Sequence, residues 1–71
     1  MIKKSKDEYG VIVNCTEVNV LDSPEKGSPI VCQLPAGKRV KIIAKPNRYY
    51  VTVQVSPAVV GFVNKEFIKA E

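Results

Sequence analysis

The sequence lacks histidine and tryptophan, and its 71 residues include only two cysteines, Cys15 and Cys32. Without histidine, Ser-His and Cys-His catalytic pairs are excluded, and so is the commonest metal ligand. Two cysteines without histidine do not make a usual structural zinc site. The four glycines are scattered, so no glycine-rich phosphate-binding loop is present. We therefore predict no cofactor and no enzyme activity.

The sequence also lacks a long apolar run. No segment is apolar over enough residues to span a membrane, and the basic start of the chain is not followed by the apolar core of a secretory signal. We expect no membrane span, and a location in the cytoplasm, or on a virion or cell surface after release by lysis. Because no secretory signal is recognised, we expect both cysteines to be reduced and to act as small apolar side chains.

The composition is that of one small β domain. Hydrophobic residues make up 45% of the chain but aromatic residues only 7%, so the core must consist mainly of valine, isoleucine and leucine, which favours strands. Five prolines divide the chain into short segments. The net charge of +4 favours anionic partners, although a charge of this size also serves solubility.

The strongest strand signal is Tyr49–Val55, where three valines alternate with Thr52 and Gln54. This period of two predicts a buried valine face and a wet face that carries Thr52 and Gln54. The same alternation places Tyr49 in the core and Tyr50 on the surface.

The other segments complete an all-β domain. Residues 1–8 form a charged N-terminal arm, and residues 9–71 form the domain. Further strands are predicted at 9–15, 18–21, 30–34, 38–43 and 59–63. Residues 35–37 predict a type II turn, and Asn64 predicts the cap of one helical turn before a last short strand or plug at residues 67–68. These elements describe a small half-open barrel of five to six strands, with one 3₁₀ turn before the last strand.

The order of these segments resembles the bacterial Src-homology-3 (SH3) family over about residues 9–68. Leu21, Cys32 and Phe62 stand where the family pattern has arginine, glycine and tryptophan. The matching segments are Val18–Leu21, Asp22–Pro24, Ile30–Gly37, Tyr49–Val53 and Gly61–Ile68.

The resemblance implies a non-catalytic SH3-like binding module that recognises a cell-wall (peptidoglycan) peptide or a partner protein. It places the ligand in a groove between the long early loop and the later strands, and it gives Asn19 the structural role of tying down a backbone turn. The ligand-binding residues expected on this basis are Asp22, Glu25, Asn47, Arg48 and Tyr50.

A basic stretch offers a second candidate site. Arg39 and Lys41 alternate with apolar residues and should point outward. The stretch is either a solvated strand face that protects the sheet edge or an anion-binding patch. The residues of that candidate patch are Lys38, Arg39, Lys41 and Lys45.

Two alternatives to a wall-binding module remain open. The chain can be a structural or accessory protein that decorates a phage or phage-like particle, where lysis replaces secretion. It can also be a small basic barrel that binds nucleic acid, but Tyr50 and Phe62 are the only aromatic residues we assign to base stacking. We therefore favour a protein or peptide partner over nucleic acid.

Overall fold

The computed structural model describes residues 8–71, which form one antiparallel sheet of seven strands and one 3₁₀ turn, with no α-helix among them. The turn spans Lys65–Phe67. The strands are β1 (Glu8–Ile12), β2 (Glu17–Leu21), β3 (Ile30–Pro35), β4 (Arg39–Ala44), β5 (Tyr50–Ser56), β6 (Val59–Asn64) and β7 (Ile68–Ala70). Of the predicted arm, only Glu8 lies within the described residues, and it begins β1.

The all-β class and the 3₁₀ turn before the last strand are confirmed, but the count of five to six strands is wrong. The strand order in the sheet is β3-β2-β6-β5-β4-β1-β7. The seventh strand is only three residues long, and it becomes a strand because it pairs with β1 from Gly10↔Ala70 to Ile12↔Ile68. Such pairing between distant segments is not visible in a local pattern.

The centre of the sheet is the predicted run of three consecutive strands. β5 pairs with β4 on one side and with β6 on the other. The core of the described chain is aliphatic, as its composition predicts. Its members are Ile12, Val18, Val20, Leu34, Val40, Ile42, Val51, Val53 and Val63.

Two predictions for β5 are wrong. Tyr49 is not in the core, because 59% of it is exposed and it precedes the strand. Thr52 is not on a wet face, because it is only 9% exposed. In the register, Thr52 lies between Phe62 on β6 and Ala44 on β4, so neighbours on both sides shield it.

The predicted turns are confirmed in detail. The Lys38 N–H donates to the carbonyl oxygen of Pro35 at 3.2 Å, and Gly37 has a φ of +88°, as the third position of a type II turn requires. Asn64 caps the 3₁₀ turn by accepting a hydrogen bond from the Glu66 N–H at 3.0 Å.

Both cysteines are free, half-buried and packed against the core, which agrees with the prediction for them. No helix within residues 8–71 has the length and apolar character that crossing a membrane requires.

Candidate functional site

A groove opens where β2 and β6 part. Within residues 8–71 these two strands are paired in register only at Leu21↔Phe62. Away from this pair, the first half of β2 faces the end of β6 across a cavity of about 420 Å³. Val18, Leu21 and Phe67 give the cavity apolar walls, while its polar lining comes from Glu17, Asn19, Lys26, Tyr50 and Asn64.

A second cavity of about 370 Å³ continues the first one beneath the long loop. It is lined by Pro24, Glu25, Lys26, Tyr49, Tyr50 and Asn64. Lys26, Tyr50 and Asn64 belong to both cavities, so the two form one depression. We call this depression the loop groove, and its principal residues are Glu17, Glu25, Lys26, Tyr50, Asn64 and Phe67.

The long loop from Asp22 to Pro29 is closed by its own hydrogen bonds. The Asp22 N–H donates to the Pro29 carbonyl at 2.9 Å and closes the base of the loop. Near the tip, the Ser28 N–H donates to the Glu25 carbonyl at 3.2 Å. Gly27 permits this turn because its φ is +87°, a value that residues with a side chain rarely adopt. The loop thereby presents Glu25 and Lys26 at the edge of the groove.

Asn47 connects this loop to the start of β5. Its Nδ2 donates to the Pro24 carbonyl at 3.3 Å. Its Oδ1 accepts hydrogen bonds from the N–H groups of Tyr49 at 2.8 Å and Tyr50 at 3.0 Å. Asn47 therefore holds one wall of the loop groove against the other, and it does not line the groove itself.

We expect Asn47→Ala to lower the free energy of unfolding by about 1–2 kcal/mol, because it removes all three hydrogen bonds. Asn47→Asp keeps the acceptor oxygen and should lose less, since only the contact to Pro24 disappears. Urea unfolding followed by circular dichroism measures both changes. The exposed neighbour Arg48→Ala is the control, and an Asn47→Ala variant as stable as that control contradicts this role.

The groove carries charges of both signs. Glu17 and Glu25 are acidic and Lys26 is basic, and all three are exposed. Tyr50 lines the same groove and is half-buried, with a flat apolar ring and a polar hydroxyl. Within residues 8–71, no group of three or more Cys, Asp or Glu side chains is placed to hold a metal ion. The arrangement offers hydrogen bonding, ion pairing and an apolar contact face to a bound molecule.

The structure brings together two of the five predicted ligand-binding residues, Glu25 and Tyr50. Asn47 lies behind the groove, as described above. The guanidinium of Arg48 lies 5.6 Å from the ring centre of Tyr49 on the exposed surface. Asp22 is exposed at the base of the loop and lines neither cavity.

Sequence reasoning missed Glu17, Lys26, Asn64 and Phe67 as groove residues. The sequence offers one signal for these residues, because Lys26 directly follows the predicted ligand-binding residue Glu25 in the loop. The role predicted for Asn19 is wrong, because its Oδ1 accepts a hydrogen bond from Gln33 Nε2 at 2.8 Å across the β2–β3 pair and does not tie down a turn.

The four residues of the basic stretch do not form one patch of equivalent side chains. Arg39 is paired with Glu71 at 3.0 Å, and Lys45 is paired with Glu8 at 3.5 Å. Lys41 is half-buried on β4, whereas Lys38 is exposed in the turn before that strand. Only Arg39 and Lys41 of the four line a common concave surface.

No protein-family model, curated protein or solved structure matches the chain.

Proposed function

We propose that this chain is a non-catalytic binding module with a half-open barrel of the bacterial SH3 type, and that its loop groove holds a short peptide of the cell wall. The loop groove is the observation that carries the proposal. Its larger cavity of about 420 Å³ falls within the range of about 300–1,000 Å³ usual for ligand sites.

The chemistry of the groove favours a short peptide. Lys26 offers a cation to a carboxylate, and Glu17 and Glu25 offer anions to an amine. The apolar walls formed by Val18 and Phe67 exclude water from one side of a bound chain. A peptide with free amino and carboxyl groups meets all of these features, and the resemblance to wall-binding modules points to the same class of ligand.

The position of Tyr50 supports the assignment of the groove. Tyr50 lines both cavities, as do Lys26 and Asn64. Asn47 fixes the backbone at this point, because it accepts the Tyr50 N–H. A tyrosine held in this way gives a large contact area at small entropic cost.

Further support for the barrel comes from the order of the elements. A long loop precedes β3, three consecutive strands follow, and a 3₁₀ turn precedes the last strand. This order agrees with the one that the resemblance implies, and it supports a groove between the long loop and the later strands.

We expect Tyr50→Ala to weaken binding to isolated Gram-positive cell walls about tenfold or more while leaving the melting temperature almost unchanged. A pull-down of the purified chain at physiological salt measures the binding. Tyr9→Ala is the matched control, because Tyr9 is also half-buried but lines neither cavity of the groove.

The two possible failures of this experiment are distinct. If Tyr50→Ala loses much of its stability, Tyr50 is a core residue and its role in the groove is contradicted. If the wild-type chain does not bind walls at all, the wall ligand is contradicted, and a structural role in a phage or phage-like particle becomes the better hypothesis.

A further inference from the structure

A second concave surface lies on the face of the sheet that points away from the core, where β1, β4 and β5 run side by side. The register places Tyr9 opposite Lys41, and Lys41 opposite Gln54. Together with Arg39 and Ser56, these side chains line a cavity of about 230 Å³. We call this cavity the Arg39 surface. It shares no lining residue with the loop groove.

Arg39 is held in place from two directions. Its guanidinium carbon lies 4.0 Å from the ring centre of Tyr9, which is a close cation–π contact. Its Nε lies 3.0 Å from each carboxylate oxygen of Glu71. The contact with Tyr9 reduces the freedom of a side chain that is otherwise exposed, so less entropy is lost when a ligand replaces Glu71 on Arg39.

The contact with Glu71 uses little of the hydrogen-bonding capacity of Arg39. It involves Nε, so the two Nη amino groups take no part in it. Guanidinium groups bind carboxylates well because their N–H groups form a planar fork. The contact with Glu71 shows that this guanidinium is accessible to a carboxylate.

The charge around Arg39 is positive. Val11 lies between Arg39 on β4 and Lys69 on β7 in the register, so the two basic side chains lie on the same face of the sheet. Among residues 8–71, Glu71 forms an ion pair with Arg39, whereas Glu8 is paired with Lys45. The surface therefore suits a ligand that carries more than one carboxylate.

We infer that the Arg39 surface binds an acidic peptide segment of a partner protein, and that the side chain of Glu71 occupies part of this site in the free protein. The inference goes beyond the proposed function and does not depend on it. An exposed ion pair such as Arg39–Glu71 is weak, so a carboxylate of the ligand can displace Glu71.

The test is a titration of the full chain with acetylated hexaglutamate amide at low ionic strength, where surface charges are little screened. Arg39→Gln should weaken binding about tenfold or more, because it removes the fork that receives the carboxylate. Glu71→Gln should strengthen binding about two- to fivefold, because it removes the competing carboxylate. Chemical shift changes in NMR spectra give the affinity and locate the site.

Glu8→Gln is the matched control for Glu71→Gln. It breaks the other exposed ion pair, with Lys45, and changes the net charge by the same amount. It should leave the affinity near that of the wild type. If both variants bind more tightly to the same extent, net charge alone explains the effect and the occupancy by Glu71 is overturned.

Two further outcomes overturn the site or its ligand. If Arg39→Gln binds as the wild type does, the site is not centred on Arg39. If a single-stranded oligothymidylate binds more tightly than hexaglutamate and responds in the same way to these variants, the ligand is a phosphate polymer and not an acidic peptide. Tyr50→Ala should bind hexaglutamate normally, which separates this test from that of the loop groove.

Discussion

Val53→Asp is expected to abolish the cooperative unfolding of this protein. Val53 is fully buried in β5, and its register partners are Ile42 on β4 and Gly61 on β6. The change forfeits about 1.5–3 kcal/mol of valine burial and adds the cost of an unpaired buried carboxylate, about 3–5 kcal/mol. A domain of this size rarely has more than about 3–5 kcal/mol of net stability, so the folded state should not survive.

Val60→Asp is the matched control for this prediction. Val60 lies on β6 beside Gln54 of the same pair of strands, but it is 47% exposed. Its replacement should change the free energy of unfolding by no more than about 1 kcal/mol. Urea titrations followed by circular dichroism compare the two variants. A Val53→Asp protein that unfolds cooperatively near the wild-type midpoint contradicts the central place of this strand in the core.

The parts of the fold that the sequence predicted correctly depend on local signals. The alternating valines locate β5, and its neighbours follow after short turns. Gly37 adopts the positive φ that the turn requires, and Asn64 caps the 3₁₀ turn with its own side chain. In each case the residues that specify the structure lie within a few positions of it.

The errors arise where distant contacts decide the outcome. The alternation predicts Tyr49 in the core only if it extends one residue beyond the strand. The strand begins at Tyr50, because Asn47 accepts the N–H groups of Tyr49 and Tyr50. The alternation predicts an exposed Thr52, because the sequence of one strand carries no information about the side chains on its neighbours. Its burial depends on the register with β4 and β6.

The same distinction applies to the loop groove. Glu25 and Tyr50 were predicted from the loop and from the strand face, and both line the groove. Glu17 and Phe67 were missed because they meet only where β2 departs from β6, 50 residues apart in the chain. Asp22 shares the loop with Glu25, but the hydrogen bond from its N–H to Pro29 keeps it at the base.

The close approach of β2 to β6 at the Leu21↔Phe62 pair depends on Gly61, and this leads to the second large effect. Gly61 is buried on β6, next to the Leu21↔Phe62 pair. A Cβ atom at this position would overlap the side chain of Val20 and lie 2.9 Å from the backbone oxygen of Leu21. Val20 is fully buried, and the oxygen belongs to the backbone of β2, so neither can move without shifting the strand.

We expect Gly61→Ala to lower the free energy of unfolding by about 2–3 kcal/mol, which is the upper part of the range for overpacking a close-packed core. Gly10→Ala is the control, because there the new Cβ would meet side-chain atoms and no backbone, with Cγ1 of Ile68 at 2.9 Å and Cδ1 of Ile42 at 3.0 Å. Side chains can shift with less cost than the backbone of a strand, so a smaller loss than that of Gly61→Ala is expected. Urea unfolding at one temperature measures both variants.

A folded Gly61→Ala variant also tests how the geometry of the loop groove affects ligand binding. Its β2 must move away from β6, which displaces Glu17 and Val18 relative to Tyr50 and Asn64 across the cavity. Ligand binding in the loop groove should therefore weaken even at temperatures where the variant is fully folded, whereas binding of hexaglutamate at the Arg39 surface should persist. If Gly61→Ala is as stable as Gly10→Ala and binds walls normally, the fold does not need the close approach of β2 at Gly61.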